Sequence, residues 1–381
     1  MQRRTASVGS LLVLLGLSGV VGASRASVAP RATVQVGEES GAGTGTRVPP
    51  VSPATDALRD LPETPGTCDE VIVEAREASA RDPLPERDAN ALYAHVHGAA
   101  RDEACGRALA RAAEELPCEG HALGAVVSGL VSQGAFPVSA TRRLVARART
   151  GEACMKEILP SVQHAINVDI ALARDVRAVA AGKDENASQA GFLALGSLGL
   201  AARRSGATEV VAMVERTLSA ELAKGDARRI VLLEAAGNAA CEACTPALVR
   251  ALGDVDPWTR RAAVASFRFR ADRPSLLRTC AALERDAAAS VREHAAWALA
   301  FEDAFGPERA ACLARAAAAD PDLDVRRTAT RGLTRLAGEN AGRDRALLAL
   351  AKAPHPAEVR LVALEHLVAS DPTPVTETYL P

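Results

Sequence analysis

Along the C-terminal half of the chain, apolar side chains return every third or fourth residue, the period of a helix that buries one stripe. Four stretches carry this pattern in one register: Asp254 to Phe267, Asp286 to Leu299, Asp320 to Leu333 and Pro354 to Leu367. The register is set by Arg260, Arg292, Arg326 and Arg360, at spacings of 32, 34 and 34 residues. Three residues after each arginine stands Ala263, Ala295, Ala329 or Ala363, and four beyond that Phe267, Leu299, Leu333 or Leu367. Steps of four place these side chains on one helical stripe together with the residue before each arginine. Each stretch is therefore predicted to be a helix buried on that side. A second helix precedes each of them, as in Pro246 to Leu252 and Arg345 to Lys352. Asp254, Asp286 and Asp320 fall between the two helices, and Pro354 interrupts the series. An aspartate there can cap the following helix or meet an arginine of the same ladder.

Two helices per 32–34 residues, with an aspartate turn and a Val-Arg opening to the second helix, resemble HEAT repeats. The resemblance implies an all-α fold, a right-handed α-solenoid of stacked antiparallel helix pairs whose inner row of second helices is the usual recognition face. Weaker copies lie upstream at Ala227 to Asn238 and Ser188 to Leu198, with a long first-helix insertion between them. The run Leu232 to Ala239, followed by Thr245-Pro-Ala-Leu, is similar to the helical domain of vitellogenin-type large lipid-transfer proteins over residues 189–267. That second resemblance implies lipid or hydrophobic-ligand handling as an alternative role. Residues 69–187 carry apolar stripes at 91–96, 108–113, 122–131 and 166–172, divided by turn signals at Pro83, Pro85, Pro117, Pro137 and Gly151. Degenerate helical pairs are expected over 68–187, continuous with HEAT-like repeats over 188–371 and a tail over 372–381.

Composition narrows this further. Hydrophobic residues make up 48% of the chain but aromatics only 3%, so alanine, leucine and valine must build the core. Strand-based sandwiches and barrels favour β-branched and aromatic residues, whereas alanine favours closely packed helices. At the N-terminus, Arg3 and Arg4 precede an apolar run from Val8 to Val21, shorter than the ~20 residues of a spanning helix, then small-x-small sites before Ser24 and Ser27. This predicts a signal peptide over 1–26 and an exported protein, periplasmic or extracellular, with no stable membrane insertion after cleavage. Residues 27–67, rich in Pro, Gly, Ser and Thr, are expected to form a disordered linker.

An even number of cysteines in an exported chain points to disulfides. Cys68 to Cys105 spans 37 residues, Cys118 to Cys154 spans 36 and Cys280 to Cys312 spans 32, each close to one helix pair. Equivalent helices of neighbouring layers stand ~8–10 Å apart, within reach of a bridge between facing side chains. Cys241 and Cys244 can close on each other. The other reading is that some of the eight are free, alanine-like core cysteines.

Candidate chemistry is sparse. Glu293-His294 invites comparison with di-iron HEAT-type oxygenases, but the equivalent positions are Arg261-Ala262, Arg327-Thr328 and Leu361-Val362, so no ligand set converges. Cys241-Glu-Ala-Cys244 has no second pair to complete a zinc site. No nucleophile elbow or phosphate loop occurs, so no cofactor, metal or catalytic residue is expected. Lys+Arg 45 against Asp+Glu 47 gives a net charge of −2, which opposes nucleic acid. The clusters Arg142, Arg143, Arg147, Arg149 and Arg268, Arg270, Arg273 read as solvated faces. Together these readings predict a non-enzymatic scaffold for a protein partner, with lipid as the alternative ligand.

Overall fold

The computed structural model describes residues 67–370, apart from short stretches at 82–83, 119–120, 134–135, 150, 226–227, 302–303, 337–340 and 353. The expected signal peptide, most of the linker and the tail lie outside the described residues. Among those described there are eighteen helices and no strand.

They follow in chain order as α1 (Cys68–Ser79), α2 (Glu86–Ala99), α3 (Glu103–Glu115), α4 (Ala122–Val131), α5 (Val138–Ala148) and α6 (Glu152–Val162). Next come α7 (Ile170–Ala180), α8 (Glu185–Ser205), α9 (Thr208–Lys224), α10 (Arg229–Asn238), α11 (Thr245–Ala251) and α12 (Pro257–Ala265). The last are α13 (Arg273–Arg285), α14 (Ala289–Leu299), α15 (Gly306–Ala319), α16 (Leu323–Arg335), α17 (Ala341–Leu350) and α18 (Ala357–Ser370). Aspartates start many of them: the carboxylates of Asp102, Asp169, Asp184, Asp272 and Asp322 each accept a backbone N–H of the first turn. Gly206 and Gly225 end α8 and α9 at positive φ, where a side chain would be strained.

The helices form two rows. Even-numbered helices pack on one another from α2 to α18, and odd-numbered helices form the second row. Along most of the stack the even row packs more closely from layer to layer than the odd row, which makes it the inner row. Small residues permit that approach. A Cβ on Gly196 of α8 would stand 2.3 Å from the Ala235 carbonyl oxygen of α10, and one on Gly237 would stand 2.5 Å from Ser266 Cα. The helix α8 runs straight through residue 188, so the degenerate and regular pairs form one uninterrupted stack.

Two apolar clusters fill the interior. One extends from Val71 to Phe267 and the other from Val264 to Ala363. Leu299, Leu333, Ala263, Ala295 and Ala329 are fully buried, as their common register requires, and Phe267 nearly so. Leu367 is only half-buried because α18 has no following layer among the described residues.

Where the two clusters meet, the interior is polar, and here the structure corrects the sequence reading. Arg268 and Arg270 are buried, at 5% and 6% exposure, rather than lying on a solvated face. Arg268 donates to Asn238 Oδ1 and to the Ala265 carbonyl; Arg270 donates to the Cys241 carbonyl and Thr245 Oγ1. Arg309, also buried, donates to the carbonyls of Ala304, Leu299 and Arg270. Carbonyls left open after helix ends thus receive guanidinium donors, which makes burial of three cations tolerable. Of that cluster only Arg273 is exposed. In the other cluster Arg147 reaches the carbonyls of Ala113 and Leu116, while Arg142 and Arg143 form exposed pairs with Asp175 and Glu114.

Candidate functional site

The arginine ladder is structural, and its geometry is specific. Each arginine reaches back to its own turn and forward to the next layer. Arg260 donates from Nη1 to the Asp254 and Val255 carbonyls, and from Nε and Nη2 to the two carboxylate oxygens of Asp286 at 2.8 and 2.9 Å. Arg292 repeats this with the Asp286 and Ala287 carbonyls and the Asp320 carboxylate. Arg229 of α10 extends the series upstream by pairing with Asp254 at 2.7 Å. The aspartates do not cap the second helices. Each closes its own turn instead, by accepting the N–H of Asp256, Ala288 or Asp322. Asp256 and Asp322, two residues on, are the caps. Where Pro354 breaks the aspartate series, Arg326 donates to His355 Nδ1 and to the Ala317 carbonyl. Arg360, in the last layer, meets no further aspartate among the described residues.

Charge follows this geometry. Arg260 holds the Asp286 carboxyl below its usual range, and the carboxylates of Asp286 and Asp320 hold the guanidiniums of Arg260 and Arg292 above theirs.

The eight cysteines form four bridges among the described residues. Cys68–Cys105, Cys118–Cys154 and Cys280–Cys312 link neighbouring layers with Cα separations of 5.5, 4.5 and 5.8 Å, and Cys241–Cys244 closes a turn at 5.3 Å. These are the pairs that repeat spacing predicts. Cys241 and Cys244 are both buried and joined.

The surface that sequence reasoning missed lies on the inner row. The residue after each ladder arginine, and those four and eight positions further on, point away from the core, apart from the buried Ala265. They are Arg261 and Phe269 in the α12 layer, Glu293, Trp297 and Phe301 in the α14 layer, and Arg327, Arg331 and Arg335 on α16. Glu234 on α10 and Glu365 on α18 continue the row on either side. Phe301 packs edge-on against Trp297 at 4.5 Å and Phe269 at 5.5 Å between ring centres. The Arg268 guanidinium stacks beneath, 5.0 Å from Phe269 and 5.4 Å from Trp297, and Arg204 approaches Phe269 from the α8 side. A signal for this shelf exists in the sequence. Trp258, Phe267, Phe269, Trp297, Phe301 and Phe305 are six of the eight Phe and Trp residues, within one short stretch.

Glu293 of this row and His294 beside it both lie on α14. His294 Nε2 accepts from Arg261 Nε at 2.8 Å, and its Nδ1 faces the Ser290 carbonyl, which fixes the neutral tautomer with the proton on Nδ1. Burial, and then the charge of Arg261, push its pKa down to about 4. Glu293 accepts from Thr328 Oγ1, and burial raises its carboxyl. No group of three metal-ligating side chains occurs among the described residues. No helix there is long and apolar enough to cross a membrane.

No family model matches the chain, and no curated protein matches it. Neither comparison therefore yields a vitellogenin-type relative. Among solved structures, a chain described with the Pds5–Scc1 complex and its implications for cohesin function is similar over 82% of this chain, at 14% identity and a TM-score of 0.30. This chain spans about half of that one, 51% of its length.

Proposed function

We propose that the chain is an exported, non-enzymatic scaffold, a right-handed HEAT-like solenoid that holds a protein partner along its inner helix row. One observation carries this reading. The solvent-facing positions of α12, α14 and α16 hold aromatic rings and guanidiniums, the side chains most enriched in protein interfaces, in a chain with few aromatics. A stack that needed those positions only for solubility would fill them with charged and polar residues rather than with rings. The four bridges support export, because disulfides persist in oxidising compartments.

Native mass spectrometry of the full-length protein recovered from the exported fraction tests the reading. A bound protein that cross-links to even-numbered helices is the expected result; a bound lipid with no protein would replace it with the hydrophobic-ligand role. N-terminal sequencing of the same sample should begin near Ser24 or Ser27. A soluble cytosolic form that retains Met1 would contradict export.

A further inference from the structure

The three arginines of α16 are arranged against their own electrostatic interest. Arg327, Arg331 and Arg335 follow one another at i, i+4 and i+8, where like charges repel and destabilise an isolated helix. Arg327 is neutralised by Asp324 at 2.7 Å. Arg331 and Arg335 have no ion pair or side-chain hydrogen bond among the described residues, and both are exposed. Partial burial and the charge of the preceding arginine hold each guanidinium below its ordinary value. Glu365, Asp324 and Glu293 act on Arg331 in the opposite direction without forming an ion pair with it, so two cations in adjoining turns keep their donors open to a ligand.

Their neighbours in the adjoining layer are Trp297 and Phe301, which occupy the same positions on the α14 layer as Arg331 and Arg335 do on α16. Helices in contact lie ~8–10 Å apart, so a ligand one chain wide can touch the rings and the guanidiniums together. The surrounding charges restrict what that ligand can be. Glu293, Asp324 and Glu365 border the patch and would repel a continuous polyanion, but they leave room for a discrete pair of carboxylates next to an uncharged side chain.

We propose that Trp297, Phe301, Arg331 and Arg335 receive an acidic polypeptide segment that carries an aromatic or large apolar side chain. The carboxylates meet the two guanidiniums, and the apolar side chain lies on the Trp297–Phe301 rings. This assignment rests on the scaffold reading above and names the partner chemistry of one part of that face. A partner captured elsewhere on the inner row would leave the scaffold standing and remove this assignment.

The test uses the full-length exported protein and a short fluorescent peptide alternating glutamate with phenylalanine. Fluorescence anisotropy should show saturable binding. The double variant Arg331→Glu/Arg335→Glu should weaken it at least about tenfold, the scale of a lost interfacial charge pair. Phe301→Ala should weaken it less, the pair Arg331→Lys/Arg335→Lys should retain most of it, and the outer-face variant Arg273→Glu should leave it unchanged. The charge-reversed protein should keep the helical circular dichroism of its parent, so that a lost affinity reads the face and not the fold. Three results would overturn the assignment: no peptide binding, equal affinity in the charge-reversed protein, or tighter binding of a single-stranded oligonucleotide, a sulfated polysaccharide or phosphatidylglycerol vesicles than of the peptide.

Discussion

The layers built from α1 to α7 are tied together by two disulfides and by exposed pairs on their outer, odd-numbered helices, whereas those from α10 to α16 are tied chiefly through the turns between rows. In the first region the links are two inter-layer disulfides, Cys68–Cys105 and Cys118–Cys154, and exposed ion pairs such as Arg76–Glu115, Arg143–Glu114 and Arg142–Asp175. In the second, besides the single bridge Cys280–Cys312 and the exposed pair Arg315–Glu284 on α13 and α15, they are bidentate pairs of low exposure, 17% and 11% for Arg260–Asp286 and 11% and 5% for Arg292–Asp320. An exposed pair contributes ~0–1 kcal/mol, so the first region depends on its covalent links and its aliphatic core. The second has a repeated polar device that fixes each layer's register on the next. The lesson is that a helical stack can specify its layers either by one motif repeated or by unrelated contacts made once each. The region with the repeated motif also carries the aromatic and cationic face.

The largest expected effect therefore falls on the first region. Replacing Cys68, Cys105, Cys118 and Cys154 with serine frees two loops of 37 and 36 residues. Each should cost ~3–4 kcal/mol through the larger entropy of the unfolded chain. Hydrogen exchange should then show α1 to α6 opening well before α12 to α16. Simultaneous loss of protection in both regions would remove the distinction.

Next in size is the core of the second region. Leu333→Ala and Leu299→Ala should each cost ~2–5 kcal/mol, since both side chains are fully buried. Arg335→Ala on the same helix should cost far less. A melting temperature for Leu333→Ala equal to wild type would reject the helical phase on which the repeat register depends.

The ladder comes third, and it sets the two regions directly against each other. Asp320→Ala strands the Arg292 guanidinium and should cost ~2–3 kcal/mol. Asp175→Ala, which removes the exposed partner of Arg142, should cost less than ~1 kcal/mol. Denaturant midpoints measure both, and equal losses would make the ladder no stronger than the outer pairs.

The smallest effect is a slope with pH. Burial holds the pKa of His164, in the first region, and of His294, in the second, at about 4, against an ordinary value of 6.5. Below pH 6.5 the unfolded chain takes up a proton that the folded chain refuses. Stability should therefore decline as pH falls from 6.5 to about 4, by at most ~1.4 kcal/mol per pH unit for each histidine. Thermal melts across this range for His164→Gln should show a shallower slope. An unchanged slope would mean that the burial of His164 is not as described.

How much of this the sequence reveals depends on repetition. Arg260, Arg292 and Arg326 recur with Ala and Leu at fixed distances, so the helix pairs, their register and the buried Leu299 and Leu333 are legible. The cysteine pairs are legible for the same reason, because their separations match one layer. Arg268 and Arg270 are not. Nothing in Phe-Arg-Phe-Arg distinguishes a solvated pair from one that satisfies the carbonyls at a helix end, since those carbonyls come from residues about thirty positions away. The aromatic shelf was also hidden by the period used to find the repeat. Its members share the row nine residues past the ladder arginines, where Phe269, Phe301 and Arg335 align.

The central claim is that the inner face of the α12 to α16 layers is where a partner docks. Hydrogen exchange of the full-length exported protein, with and without the partner that co-purifies with it, tests this most directly. Slowed exchange on the C-terminal turns of α14 and α16, with α13 and α15 unchanged, is the predicted footprint. Protection confined to odd-numbered helices, or to the disulfide-tied layers before residue 180, would contradict it.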